Sequence, residues 1–303
     1  VESICHDPRV VEANVRETKL TSPDYAGMNP DLAVADFRAR IAHYERAYEP
    51  IDDERASYIK VIDVGQKLVV NRIHGYWPSR LVSFLLNLHV EPRTLWLTRH
   101  GESQHNAKGL IGGDSALSPR GRAYARALTA FMKERAGATP FTVWTSALAR
   151  ALETGRPFEG AASLRALDEI DAGVCDGMTY EEIAERMPQE FAARAADKFH
   201  YRYPRGESYQ DLIQRLEPVI IEMERQRRPL LVIAHQAVIR ALYAYLMDIP
   251  AYACVDVEVP LHTVIELAPK AYGCDERRFE VEPGDDADDE AEGVDVGRDV
   301  FDL

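Results

Sequence analysis

The sequence predicts an α/β fold, a sheet with helices on both faces. Three observations predict it. Short apolar runs of strand length recur along the chain: TLWLT (94–98), FTVWT (141–145), LLVIA (230–234) and HTVIELA (262–268). The first three are each followed by a segment with helical character, and such alternation builds a layered sheet. A hydrophobic fraction of 46% over 303 residues suits a globular chain with one large domain plus a smaller piece.

Taken in order, VESICHDPRVVEANV (1–15) has a helical pattern and KLTSPDY (19–25) is turn-rich. Leu32, Val34, Phe37, Ile41, Tyr44 and Tyr48 recur at helical spacing. SYIKVIDVG and KLVVNRI read as two short strands joined at Gly65-Gln66. A helix is expected through SRLVSFLLNLH, and Pro92 marks a boundary. After strand 94–98, Ser118 with Pro119 caps a helix to about Lys133. Ser146 is expected to open a helix after strand 141–145, and another runs from Ala237 to about Met247. The units so defined are 1–93, 94–280 and an acidic tail, 281–303, expected to be disordered. No internal repeat is visible.

The formal net charge is −14. Residues 282–303 hold ten acids and one base, so −9 sits there and −5 on the rest. That argues against a nucleic-acid binder, which needs a basic face. No apolar run approaches a membrane span, and no secretory pattern opens the chain. It begins with Val1 rather than Met, so a cut or processed edge is expected there. Cys5, Cys175, Cys254 and Cys274 lack zinc-site spacing and read as free thiols of a reducing compartment.

Three strands end in polar groups of one kind. The first ends in Thr98-Arg99-His100-Gly101-Glu102. The second ends in Thr145-Ser146 and reaches Arg150, and the third ends in His235-Gln236. Ligands of such sheets sit beyond the carboxyl ends of the strands. Two histidines and two arginines meeting there would make a phosphate site, because guanidinium groups match phosphate oxygens. A neutral histidine can be the nucleophile. Gly101 is expected to leave room for the phosphoryl group, and Asn106 could donate to one of its oxygens. A leaving alkoxide needs a proton, and Asp168, Glu169 and Asp171 offer carboxyl groups. Each residue alone has a plain reading: a packed histidine, a solvated arginine, a loop carboxylate. The joint pattern at successive strand ends favours the chemical one.

LTRHGESQHN, DSALSPRGRAYA, VWTSALAR, DEIDAGVCDGMTYEEI, YRYPRGESYQDLIQRLEPVI and HQAVIRALYAYL closely resemble the bisphosphatase domain of the 6-phosphofructo-2-kinase/fructose-2,6-bisphosphatase family. The likeness runs to about residue 280. It implies a phosphoglycerate mutase-like sheet with helices on both faces, preceded by a truncated P-loop kinase fragment. It implies hydrolysis of fructose 2,6-bisphosphate through phosphohistidine, without metal or cofactor. By this resemblance His100 is the nucleophile. Arg99, Asn106, Arg150 and His235 clamp the phosphoryl group, and Glu169 is the proton donor and then the base. Gln236, Tyr180, Arg194, Lys198, Arg202, Tyr209 and Arg240 would hold the rest of the sugar bisphosphate. Arg194, Lys198 and Arg202 recur every four residues, so a helix would place them on one face. One departure is Ala234, where the family pattern has Cys.

Residues 1–93 resemble the end of the partner kinase domain, with Lys19, Arg40 and Tyr44 implied at a fructose 6-phosphate site. No GxxxxGK(S/T) loop occurs, so the phosphates of ATP have no cradle here. ATP and Mg would belong to the kinase half of a longer parent that regulates glycolysis and gluconeogenesis. The resemblance implies a cytosolic protein with no nucleic-acid or membrane partner, and leaves a homodimer open. Alternatives are another histidine phosphatase or mutase, or a non-catalytic regulatory module that binds sugar phosphate.

Overall fold

The computed structural model describes residues 1–20, 22–25, 27–87, 92–270 and 273–284. The acidic tail expected from 281 lies almost wholly outside them.

The N-terminal unit opens with strand β1 (Glu2–Ile4), then helices α1 (Pro8–Thr18) and α2 (Pro30–Glu45). A hairpin follows, β2 (Tyr58–Ile62) and β3 (Lys67–Asn71), then α3 (Tyr76–Asn87). The first residues were expected to be helical. Instead Glu2–Ile4 runs parallel to Lys60–Ile62 as a sheet edge. The pairing partner lies far along the chain, so local periodicity could not report it. Lys60 Nζ lies 3.3 Å from the buried Glu2 carboxylate and helps fix that register. The hairpin turns through Asp63, Val64 and Gly65, all at positive φ. Asp7 and Asn29 cap α1 and α2, each followed by Pro at the first helical position.

The larger unit is built on six strands, β4 (Leu95–Arg99), β5 (Thr142–Thr145), β6 (Ala162–Ser163), β7 (Leu230–Ala234), β8 (Thr263–Pro269) and β9 (Cys274–Glu280). Their order is β6-β5-β7-β4-β8-β9. The first four in that row are parallel; β8 runs antiparallel to β4, and β9 antiparallel to β8. The helices are α4 (Gln104–Ala107), α5 (Pro119–Ala136), α6 (Ala149–Gly155), α7 (Tyr180–Arg186), α8 (Pro188–Ala196), α9 (Tyr209–Arg225) and α10 (Gln236–Leu246).

The period-two geometry of strands divides the core. Leu95, Leu97, Leu230, Val232 and Ala234 face α9 and α10. Trp96, Leu231, Ile233 and Val264 face Tyr124, Leu128 and Met132 of α5 and Ala151 of α6. Helices therefore cover both faces, and the central strands are buried on each side. The smaller unit meets this body where α3 packs on α9. Arg80 pairs with Glu217 at 2.5 Å and Arg93 with Glu224 at 2.6 Å. Ser146 was expected to open α6, but the helix begins three residues later, after an extended Leu148. Strand β9 and helices α7 and α9 were not anticipated in outline.

Candidate active site

Parallel β5, β7 and β4 lie side by side, so their carboxyl ends open onto one edge of the sheet. A cavity of about 400 Å³ lies there, lined by Arg99, His100, Asn106, Arg150, Glu169, Tyr180, Arg194, Lys198, Tyr209, Gln236 and Arg240 among others. His235 stands behind it, buried, with its ring centroid 5.0 Å from that of His100.

The environment of His100 fixes its tautomer. Nδ1 lies 2.6 Å from the Gly101 carbonyl oxygen, which can only accept, so Nδ1 carries the proton. Nε2 then has a lone pair, and it accepts from Arg150 Nε at 3.0 Å. Burial first, and then the neighbouring Arg150 cation, hold this imidazole well below its ordinary 6.5. The ring is thus neutral near pH 7, with its lone pair on the cavity side, as a nucleophile requires.

Glu169 provides the complementary state. Its side chain is part-buried in the cavity wall, and desolvation raises the carboxyl above its ordinary 4.5 against the opposing pull of the Ile170 N–H, Arg150 and Arg99. Oε1 accepts from Ile170 N at 2.9 Å and weakly from Ala237 N at 3.3 Å. The other two candidate acids also accept backbone N–H groups. Asp168 Oδ1 accepts from Ala147 N at 2.7 Å, and Asp171 Oδ1 accepts from Gly173 N at 2.7 Å.

Arg99 Nη1 donates to Val259 O at 3.1 Å, whereas its buried Nε has no partner among the described residues. His235 Nδ1 is likewise buried without a partner. Two orphaned polar atoms at adjacent strand ends, beside Arg150, fit an anion that would accept from them. Asn106 accepts from Ser103 N and Ser103 Oγ through Oδ1, at 3.0 and 2.9 Å, which leaves its amide group to donate.

A second group of cations lies further out. Arg240 donates to Val257 O at 2.7 Å and to Tyr209 OH at 3.1 Å. Lys198 Nζ donates to Val255 O at 3.0 Å, and its ammonium is pushed down by burial and by Arg240 and Arg194. Arg194 donates to Tyr180 OH at 3.1 Å. Burial pushes the Tyr209 phenol up to about 12, so it stays protonated.

Several expectations need correction. Arg194, Lys198 and Arg202 do not share a helix, because α8 ends at Ala196 and Asp197 leaves the helical region with φ −147° and ψ 80°. Arg194 and Lys198 still reach the cavity. Arg202 does not line it; its guanidinium is held by Asp211, at 2.9 and 2.6 Å, in the capping box of α9. Gly101 does not open space for a ligand. A Cβ there would lie 2.4 Å from the Gly121 carbonyl oxygen, so its bare face is filled by the first turn of α5. Lys19, Arg40 and Tyr44 do not converge on one cavity. Lys19 lines a separate cavity of about 480 Å³ with Val15, Phe37 and Ile41, which neither Arg40 nor Tyr44 lines. Arg40 instead donates to Tyr25 OH at 3.0 Å, and Tyr44 is two-thirds exposed.

Arg215, on α9, escaped the sequence reading. Its Nη1 donates to Ala166 O and Asp168 O at 2.9 and 3.0 Å, and Nη2 to Glu207 at 2.8 Å. It thereby ties down the loop that presents Glu169. Only its place on the inner side of an amphipathic helix could have hinted at this.

A neutral histidine, a carboxyl raised by burial and clustered arginines at the ends of a parallel sheet are the parts of a phosphatase site of the histidine type. The chain belongs to the histidine phosphatase superfamily (branch 1), whose model matches residues 95–282. Residues 1–92 match the model of 6-phosphofructo-2-kinase. More particularly, over 282 residues the chain is 54% identical to the 6-phosphofructo-2-kinase/fructose-2,6-bisphosphatase of Gallus gallus, covering 91% of this chain and 59% of that protein. Over 281 residues it is 52% identical to 6-phosphofructo-2-kinase/fructose-2,6-bisphosphatase 4 of Homo sapiens, covering 90% and 59%. The chain thus spans about three-fifths of the length of these relatives. Among solved structures, alpha-ribazole phosphatase of Shigella flexneri matches with a TM-score of 0.55 at 25% identity, covering 62% of this chain and 96% of that one. Bacillus stearothermophilus YhfR matches with a TM-score of 0.52 at 29% identity, covering 60% and 94%. Among the described residues, no helix is long and apolar enough to cross a membrane.

Proposed function

We propose that the chain hydrolyses the 2-phosphate of fructose 2,6-bisphosphate through a phosphohistidine at His100. The observation that carries this reading is the pairing in one cavity of His100, whose Nε2 accepts from Arg150 and whose ring is held down by burial, with a Glu169 carboxyl that burial pushes up. In the first step His100 Nε2 bonds to phosphorus, the bond to the sugar 2-oxygen breaks, and Glu169 gives that oxygen its proton. The Nδ1 proton stays in place, and the Gly101 carbonyl stabilises the charged ring. Arg99, Arg150, Asn106 and His235 take the phosphoryl oxygens, and Gln236 lies beside them. In the second step Glu169 takes a proton from water. The water oxygen attacks phosphorus, the phosphorus–nitrogen bond breaks, and phosphate leaves.

Arg194, Lys198 and Arg240, with Tyr180 and Tyr209, form a second cationic set lining the same cavity, matched in charge to a second phosphate on one sugar. They favour a sugar bisphosphate over a simple monoester. Arg202 is assigned no contact. In this reading residues 1–93 are the end of a kinase domain and 94–280 the phosphatase. Lys19, Arg40 and Tyr44 would serve fructose 6-phosphate only within a complete kinase. ATP and Mg belong to that larger unit, and four free thiols favour a cytosolic setting.

The test is turnover by the purified chain. It should release phosphate from fructose 2,6-bisphosphate and leave fructose 6-phosphate. It should form no fructose 2,6-bisphosphate from ATP and fructose 6-phosphate. Faster turnover of 3-phosphoglycerate or of an unrelated monoester would overturn the substrate assignment.

A further inference from the structure

The neighbour of His235 decides which of its nitrogens faces the phosphoryl group. Register brings that neighbour in: Thr145 pairs with Ile233, so Ser146, one residue on, and His235, two residues on, leave adjacent strands close together. Ser146 Oγ lies 2.7 Å from His235 Nε2, and both residues are fully buried. The same Oγ accepts from the Leu148 N–H at 3.0 Å, in the extended link before α6.

We infer that Ser146 is a positioning residue for phosphoryl transfer: its hydroxyl donates to His235 Nε2 and so places the ring proton on Nδ1, the donor to the phosphoryl group. The inference rests on the reading of this cavity as a phosphoryl-transfer site. A count of donors and acceptors supports it. With the proton on Nδ1, the Ser146 oxygen accepts from Leu148 and its hydrogen goes to Nε2. Nothing around Ser146 is left over, and the one spare group is the Nδ1 donor. With the proton on Nε2, the Ser146 hydrogen would be buried without an acceptor. The unpartnered Nδ1 would then turn a lone pair toward anionic oxygens. Which nitrogen carries the proton is set by the hydrogen bond the other one makes. The two histidines are then held alike, each with its proton on Nδ1, by different means: His100 by a carbonyl acceptor, His235 by a hydroxyl donor. One therefore attacks through Nε2, while the other donates through Nδ1.

The test is nitrogen NMR on the whole chain labelled with ¹⁵N-histidine, together with vanadate binding and turnover. In the unaltered chain His235 should be neutral, with a proton on Nδ1 and none on Nε2. A proton on Nε2 overturns the inference without any variant. In Ser146→Ala the ring should move toward the Nε2–H form. Vanadate, a stand-in for the five-coordinate phosphoryl group, should bind about 10²-fold more weakly, the usual scale for one transition-state donor. Turnover should lose a similar factor in kcat, with KM changed less than about threefold. Ser146→Thr keeps the hydroxyl and should keep the Nδ1–H form. If Ser146→Ala retains that form and full vanadate affinity, Ser146 does not set it and the inference fails. The ring state and vanadate binding are read without sugar, so failure to turn over fructose 2,6-bisphosphate would count against the substrate assignment alone.

Discussion

The inner chamber and the outer rim of the cavity are built in different ways. In the chamber, Arg99, His100, Arg150 and His235 sit at strand ends or in a first helical turn, and protein partners fix them. On the rim, Tyr180, Arg194 and Lys198 come from α7, α8 and the loop beyond, and Arg194 leans on an exposed tyrosine. Bond-making demands atoms held to fractions of an ångström, and a buried parallel sheet supplies that. Holding a distant phosphate demands mainly charge, and long side chains on a looser frame supply it. Chamber variants should therefore act on kcat and rim variants on KM.

The largest effect should come from His100→Ala. Substrate labelled at the 2-phosphate should give an acid-labile phosphoprotein with the unaltered chain and none with this variant. Turnover should fall by at least about 10⁴-fold, the scale of a lost nucleophile. Label persisting in the variant would remove His100 from its role.

Glu169→Gln should come next. It keeps the shape and loses the proton, so turnover of the sugar bisphosphate should fall about 10²–10⁴-fold with binding little changed. An aryl phosphate with an acidic phenol needs less protonation and should suffer less in its first step, if it is accepted. Arg150→Ala should slow both. Equal losses on the two substrates with Glu169→Gln would redirect the search to Asp171 or His235.

Protonation should separate the regions in another way. Burial lowers both His100 and His235 in the folded chain below 6.5. The stability they contribute is therefore present above pH 6.5 and is lost as pH falls below it. Glu169 is raised above 4.5, so its share is present below that value and is lost as pH rises through its folded value. Urea midpoints followed from pH 7 to pH 5 should fall less steeply in His235→Asn than in the unaltered chain. Arg194→Ala should leave the slope alone. A parallel fall in all three would mean that the chamber histidines are not held neutral.

The rim effects are smaller. Arg194→Ala should raise KM by about tenfold, the scale of one charge-assisted contact, at nearly constant kcat. Arg202→Ala should change KM by less than about twofold, because its partner is Asp211. It should cost under about 1 kcal/mol of stability, as exposed ion pairs do. A tenfold rise in KM for Arg202→Ala would show that this side chain leaves Asp211 for the ligand.

Strands β4, β5 and β7 were legible because both faces are buried, which writes continuous apolar runs into the chain. Their polar ends then marked the chamber, and the same logic found His100, Arg150 and His235. Glu169 stood out only within its motif, since three carboxyls share that segment. The structure separates them by place: Glu169 lies by Arg150 and Arg99, whereas Asp168 is drawn back to the Ala147 N–H, 21 residues earlier, and Asp171 turns to Gly173. The helix expected through Arg202 failed because a four-residue interval satisfies a helix and a bent loop equally. Strand β1 and the clamp by Arg215 depend on partners dozens of residues away, beyond any local pattern.

Gly101 and Gly121 pack backbone against backbone, the nucleophile loop on the first turn of α5. A Cβ on Gly101 would lie 2.4 Å from the Gly121 carbonyl oxygen, and one on Gly121 would lie 2.0 Å from the Glu102 carbonyl oxygen. Neither residue carries a side chain to offer a substrate, yet neither can gain even a methyl group without moving α5 away from the nucleophile loop. In a saturation scan scored by activity, both would rank with His100. A map drawn from such a scan would show an active site larger than the set of atoms that react. The excess would trace the seam along which the nucleophile loop is clamped to its helix.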